Sequence, residues 1–60
     1  MNPSRYFTDG TNVWRFTPGK APQHRFVTDS KWDESAFCNL AEFEASPGDT
    51  WEIDGEDGEA

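Results

Sequence analysis

Two turn signals, Asp9-Gly10 and Pro18-Gly19, divide residues 5–28 into three short aromatic runs, and this punctuation leaves no room for a long helix. The runs are Tyr6-Phe7-Thr8, Val13-Trp14-Arg15-Phe16 and Arg25-Phe26-Val27-Thr28, the pattern of a three-stranded antiparallel meander. The length of the first loop decides the register. A two-residue hairpin would set Phe7 against Asn12, whereas a four-residue loop sets Phe7 opposite Trp14 and Tyr6 opposite Arg15, uniting two large aromatics on one face. The longer loop is therefore expected, with Trp14 and Phe16 inward and Val13 and Arg15 outward. Pro18-Gly19 suits a type II turn, and Pro22 keeps the connection extended until a third strand over His24–Thr28.

Beyond the meander the apolar residues Trp32, Ala36, Leu40 and Phe43 recur at helical spacing, with Ser30 or Asp33 available as a cap. Residues 41–45 instead alternate with period two. The spacing thus predicts a helix ending near Leu40, then a hairpin of residues 41–45 and 50–54 about the turn Ser46-Pro47-Gly48-Asp49. A continuous helix over residues 31–45, stopped by Pro47-Gly48, is the alternative. The expected fold is a small α+β domain over residues 1–54. It comprises a three-stranded meander, one short helix and a C-terminal hairpin or strand, with Trp14, Phe16, Phe26, Leu40 and Trp51 in the core. Asn2-Pro3-Ser4 reads as a frayed start. Residues 55–60 offer no apolar side chain to bury, and read as a disordered acidic tail.

Sixty residues allow one domain, and so short a chain buries only about 60% of its extended surface. Leu, Ile, Val and Phe together number nine, so Tyr6, Trp14, Trp32 and Trp51 must supply much of the core. A homodimer contact or a bound target would add to so thin a core.

The charge is unevenly placed. Residues 1–28 carry Arg5, Arg15, Lys20 and Arg25 against Asp9 alone, a balance of +3, whereas residues 29–60 set Lys31 against eleven carboxylates, a balance of −10. Such asymmetry points to acidity concentrated on particular elements.

Site chemistry is hard to assemble from the remaining residues. The single cysteine, Cys38, forms no internal disulfide and reads as a small buried hydrophobe. His24 beside a proline-rich turn reads as a surface or edge residue. Cys38 with His24, or Ser30 with His24 and Asp29, lacks the context of a nucleophilic site. The glycines are isolated, so no phosphate loop forms, and residues 54–59 lack the twelve-residue ligand pattern of a calcium loop. The expectation is therefore no enzyme activity, no cofactor and no metal. With no apolar run of membrane-spanning length and no signal segment, a reducing, cytoplasmic location and no membrane partner are expected. The tryptophan spacing invites comparison with the WW domain, but Trp14 lies in the second strand and Asp33-Glu34-Ser35 follows Trp32 where that module has its proline.

The acidic half carries the functional expectation. In a 41–54 hairpin, Glu42 and Glu44 would stand opposite Phe43, and Glu52 and Asp54 opposite Trp51, so four carboxylates would share one surface. Their spacing, about 6.6 Å along a strand and about 5 Å across, approaches the charge density of a nucleic-acid backbone. Together with Asp33 and Glu34 they form the candidate partner-binding set. In length, acidity and lack of active-site chemistry the chain resembles the small acidic inhibitors of phages and mobile elements, including anti-CRISPR proteins, restriction blockers and uracil-DNA glycosylase inhibitors. That resemblance implies an inhibitor that occupies a basic, nucleic-acid-binding surface of a host protein, a DNA mimic in effect. The alternative is a structural or assembly module, such as a small virion or scaffold component, using exposed aromatics. Direct nucleic-acid binding by Arg5, Arg15, Lys20 and Arg25 with Tyr6 and Trp14 is disfavoured by the overall charge.

Overall fold

The computed structural model describes residues 3–60. Its strands are β1 (Arg5–Thr8), β2 (Asn12–Phe16), β3 (Gln23–Phe26), β4 (Asp33–Glu34) and β5 (Trp51–Ile53), and its helices are α1 (Leu40–Ala45) and α2 (Gly55–Gly58). The strands make one antiparallel sheet in the order β4-β3-β2-β1-β5. The α+β class is as expected, but the sheet has five strands where three were expected.

The turn chemistry of the meander sets its register as expected. Phe7 pairs with Trp14 and Tyr6 with Arg15 across β1 and β2. In the loop between them Asp9 accepts from the backbone N–H of Thr11 and Asn12 at 2.9 and 2.7 Å, and Gly10 takes a φ of +96° that a side chain would disfavour. Lys20 N–H closes the Pro18-Gly19 turn on Thr17 carbonyl at 3.0 Å. Ser4 is not frayed, since its hydroxyl lies 2.6 Å from that of Thr17. Asn2 lies outside the described residues.

From residue 29 onward the chain departs from the expectation. Residues 31–39 form no helix. Their apolar spacing arises because the chain rounds the sheet edge at β4, which sends Trp32 to one face and Phe37 to the other. Trp32 packs at a tilt beside Tyr6, and Phe37 meets Trp14 edge to face. The helix begins where it was expected to stop. Asn39, in extended conformation, accepts from Glu42 N–H at 2.8 Å, and the Glu42 carboxylate accepts from Cys38 N–H at 3.3 Å. Ser46 leaves the helix with ψ 136°, as a residue before proline must. Residues 41–45 are therefore helical, and the 41–54 hairpin does not form. β5 pairs with β1 instead, Tyr6 facing Ile53 and Phe7 facing Glu52.

Both faces of the sheet are covered, which a one-sided alternation does not anticipate. On the first face α1 lays Phe43 at the centre of an aromatic cluster, 5.3 Å from Phe7, 5.0 Å from Trp14, 5.2 Å from Phe16 and 5.2 Å from Phe37 between ring centroids. Six residues are too few to hold a helix by propensity, so this burial is what keeps α1 formed. The second face carries Tyr6, Val13, Arg15 and Arg25, and α2 and Trp32 close over it. Val13, expected outward, is only 3% exposed. The buried core is Tyr6, Phe7, Val13, Phe16 and Phe43. Of the expected core, Phe16 belongs to it, Trp14 and Leu40 are half-buried, and Phe26 and Trp51 are 50% and 53% exposed at the sheet margin.

Residues 55–60 are packed rather than loose. Asp54 caps α2 by accepting from Asp57 N–H at 2.8 Å. Gly58 sits on the ring of Tyr6, where any larger residue would collide. The tail docks through its backbone and its lack of a Cβ, which is why hydropathy gives no hint of it.

Candidate functional site

The six carboxylates of the candidate set do not share a surface. Asp33 and Glu34 lie on β4 and Glu52 on β5, opposite edges of the sheet, which at about 4.8 Å per strand are roughly 19 Å apart. Glu42 and Glu44 belong to α1. In a strand they would point together, but at about 100° per residue a helix turns them to either side of the buried Phe43. Asp54 is engaged as the α2 cap. The four-carboxylate face expected of a hairpin therefore does not form: Glu52 pairs with Arg5, which Glu44 also approaches, Glu42 accepts from Cys38 N–H, and Asp54 caps α2.

Arginines set the electrostatics. Arg5 donates to both oxygens of Glu52 at 3.0 and 2.9 Å, a bidentate pair that holds the Glu52 carboxyl below its ordinary range and raises Arg5. Both partners are about half exposed, so the pair fixes geometry more than it adds stability. Arg15 donates to Glu59 at 2.6 Å and to Gln23 at 2.9 Å, and stacks 4.2 Å over Trp32. The Tyr6 hydroxyl donates to the same Glu59 oxygen. The Tyr6 hydrogen bond, then Arg15, lowers the Glu59 pKa against the opposing effect of burial. Burial, then Glu59, raises that of the Tyr6 phenol.

Arg25 is the buried cation, 4% exposed, and its partners are carbonyls and a ring. It donates to Asp29 carbonyl at 2.8 Å and, more loosely, to those of Phe26 and Val27. Its other nitrogen donates to Gly58 and Ala60 carbonyls at 2.8 and 3.0 Å, and its guanidinium lies 5.0 Å over Trp32. Five carbonyl contacts satisfy a charge that would otherwise be costly to bury. The tail is thus clamped by Tyr6, Arg15 and Arg25 together.

The consequence is a predominantly acidic surface. Setting aside Glu52 and Glu59 leaves ten of twelve carboxylates outside any ion pair among the described residues. Setting aside Arg5, Arg15 and Arg25 leaves Lys20 and Lys31 as the cations without an internal role. Cys38, expected buried, is exposed. His24 is half-buried, its Nε2 2.8 Å from Asn12 Oδ1 and its ring between Trp14 and Phe26. Among the described residues no three of His, Cys, Asp and Glu converge as metal ligands, and no helix is long and apolar enough to cross a membrane.

The chain matches no known family model, no curated protein and no solved structure.

Sequence reasoning treated Asp9 and Asp49 only as turn residues, and both line a cleft floored by aromatic rings. Their signal was the placement of acid in the two loops that flank the aromatic runs.

Proposed function

We propose that the protein is a non-enzymatic acidic binding protein that occupies the basic, nucleic-acid-binding surface of a partner, in the manner of the small acidic inhibitors it resembles in size and charge. The observation that carries this reading is that all three arginines are engaged within the chain, Arg15 and Arg25 on Trp32 and the tail, and the exposed Arg5 with Glu52. This engagement converts a chain with a +3 half into a surface of ten unpaired carboxylates and two lysines. The same observation weighs against direct nucleic-acid binding, since Arg5, Arg15 and Arg25 are three of the four cations, with Lys20, that would have met phosphates. The acid is dispersed around the fold, so the attraction is a field over the whole molecule more than one patch.

A second reading, an assembly module, has its own support: Phe26, Val27 and Trp51 are 50%, 45% and 53% exposed. Affinity capture with mass spectrometry supplies the partner, and binding across ionic strength separates the readings. An acidic competitor weakens at least about tenfold between low salt and about 0.15 M, chiefly through its association rate. Salt-indifferent binding lost on Trp51→Ala would sink the acidic reading and favour assembly.

A further inference from the structure

Beneath the loop of residues 46–50 lies an open cleft of about 160 Å³, lined by Trp14, Phe37, Phe43, Asp9 and Asp49 with Ser46–Gly48 and Thr50. One water needs about 10–15 Å³ measured this way, so the space admits the end of a side chain. Its aromatic walls are steeply angled to one another. Phe37 meets Phe43 at 88° and Trp14 at 71°, so ring faces and edges line different sides of the space. The two acids are exposed, and neither is in an ion pair among the described residues. Asp9 is anchored by the N–H groups of its own turn, which hold its carboxyl below the ordinary range and so keep it charged. An aromatic recess bordered by fixed negative charge is the environment that attracts an organic cation, through the ring quadrupole and the carboxylates together. A purely apolar guest would use the rings and neither carboxylate. Elsewhere the protein already uses this pairing internally, with Arg15 and Arg25 on Trp32.

We propose that this cleft receives the ammonium end of a lysine side chain presented by the basic partner, with Trp14, Phe37 and Phe43 around the methylenes and Asp9 and Asp49 on the charge. The source of that lysine rests on the acidic-surface reading; the recess itself is tested without it. The isotope-labelled full chain is titrated with Nα-acetyl-lysine N-methylamide and, separately, with the norleucine counterpart, which has the same stem and no charge. The expected result is a saturable shift of the Trp14 indole and the Asp49 and Thr50 amides, with lysine on the order of fivefold or more tighter than norleucine. Asp49→Asn, an exposed change expected to leave the melting temperature unchanged, removes most of that preference. Equal response to both compounds, or no response at Trp14 and Asp49, overturns the proposal. A lysine response confined to the cleft supports it even if partner binding proves indifferent to salt. Salt-steep partner binding that Asp49→Asn leaves unchanged overturns it and leaves the acidic-surface reading standing.

Discussion

Gly58 lies so close to the ring of Tyr6 that a methyl group on its Cα would overlap the ring carbons Cγ and Cδ2. This contact lets the last turn of the chain lie flat on the sheet, and lets Arg25 reach the Gly58 and Ala60 carbonyls. Gly58→Ala is expected to cost about 1–3 kcal/mol through overpacking, and to loosen the tail. Gly55→Ala is its control. A Cβ at Gly55 meets Tyr6 at 3.6 Å, an ordinary contact, and alanine there should be neutral or stabilise by about 0.4–1 kcal/mol. Urea denaturation of the two variants checks the pair, and equal stability would mean that the tail does not dock.

Phe43 is expected to be the single most costly truncation. It touches four aromatic rings from a helix that has no other buried residue, so Phe43→Ala should lose about 3–5 kcal/mol. A domain of this size has a total stability of about 3–9 kcal/mol, so the variant should be largely unfolded by circular dichroism at room temperature. Trp51→Ala, at an exposed margin, should change stability by under about 1 kcal/mol. The reverse order would place the core at β5.

Stability should fall off at both ends of the pH scale. Glu59 and Asp9 have lowered folded-state pKa values. Their stabilisation is complete above the ordinary carboxylate range, and is lost as pH drops through the lowered values. Tyr6 is shifted the other way, so its contribution is complete below the ordinary phenol range and is lost as pH rises through the raised value. Glu59→Gln should make the acid limb of a melting-temperature profile shallower, and an acid limb identical to wild type would show that the Tyr6–Glu59–Arg15 contact does not form.

Cys38 should react with a maleimide in the folded protein nearly as fast as in urea, because its thiol is exposed ahead of α1. Protection of more than about tenfold would indicate a packed thiol, as the sequence suggests. The reaction is followed by mass spectrometry, with the melting temperature of the labelled protein expected to stay within a few degrees.

The meander was legible because its information is local. Asp9-Gly10 and Pro18-Gly19 act through backbone angles and short-range hydrogen bonds, so residues 5–26 fold as their turns dictate. Residues 29–60 were harder, because their decisive contacts are distant. The Trp32-to-Phe43 spacing looks helical, yet it comes from a chain passing around a sheet edge to bury Trp32 and Phe37 on opposite faces. The candidate carboxylates were dispersed for the same reason: β5 found β1 instead of residues 41–45. The tail was illegible to hydropathy altogether. Its one visible sign was charge, an acidic segment in a chain whose arginines had few acids nearby.

The pairing of β1 with β5 also bears on how the protein is made. Phe7 faces Glu52, which is synthesised 45 positions later. At about 5–20 residues per second, the outer edge of β1 waits roughly 2–9 s for its partner strand. During that interval a nascent meander can pair through β1 with a neighbouring chain, since an unpaired edge is a template for another strand. Slow translation or crowded ribosomes should therefore favour aggregates joined at β1, and a strand peptide matching residues 50–54, supplied in trans, should suppress them.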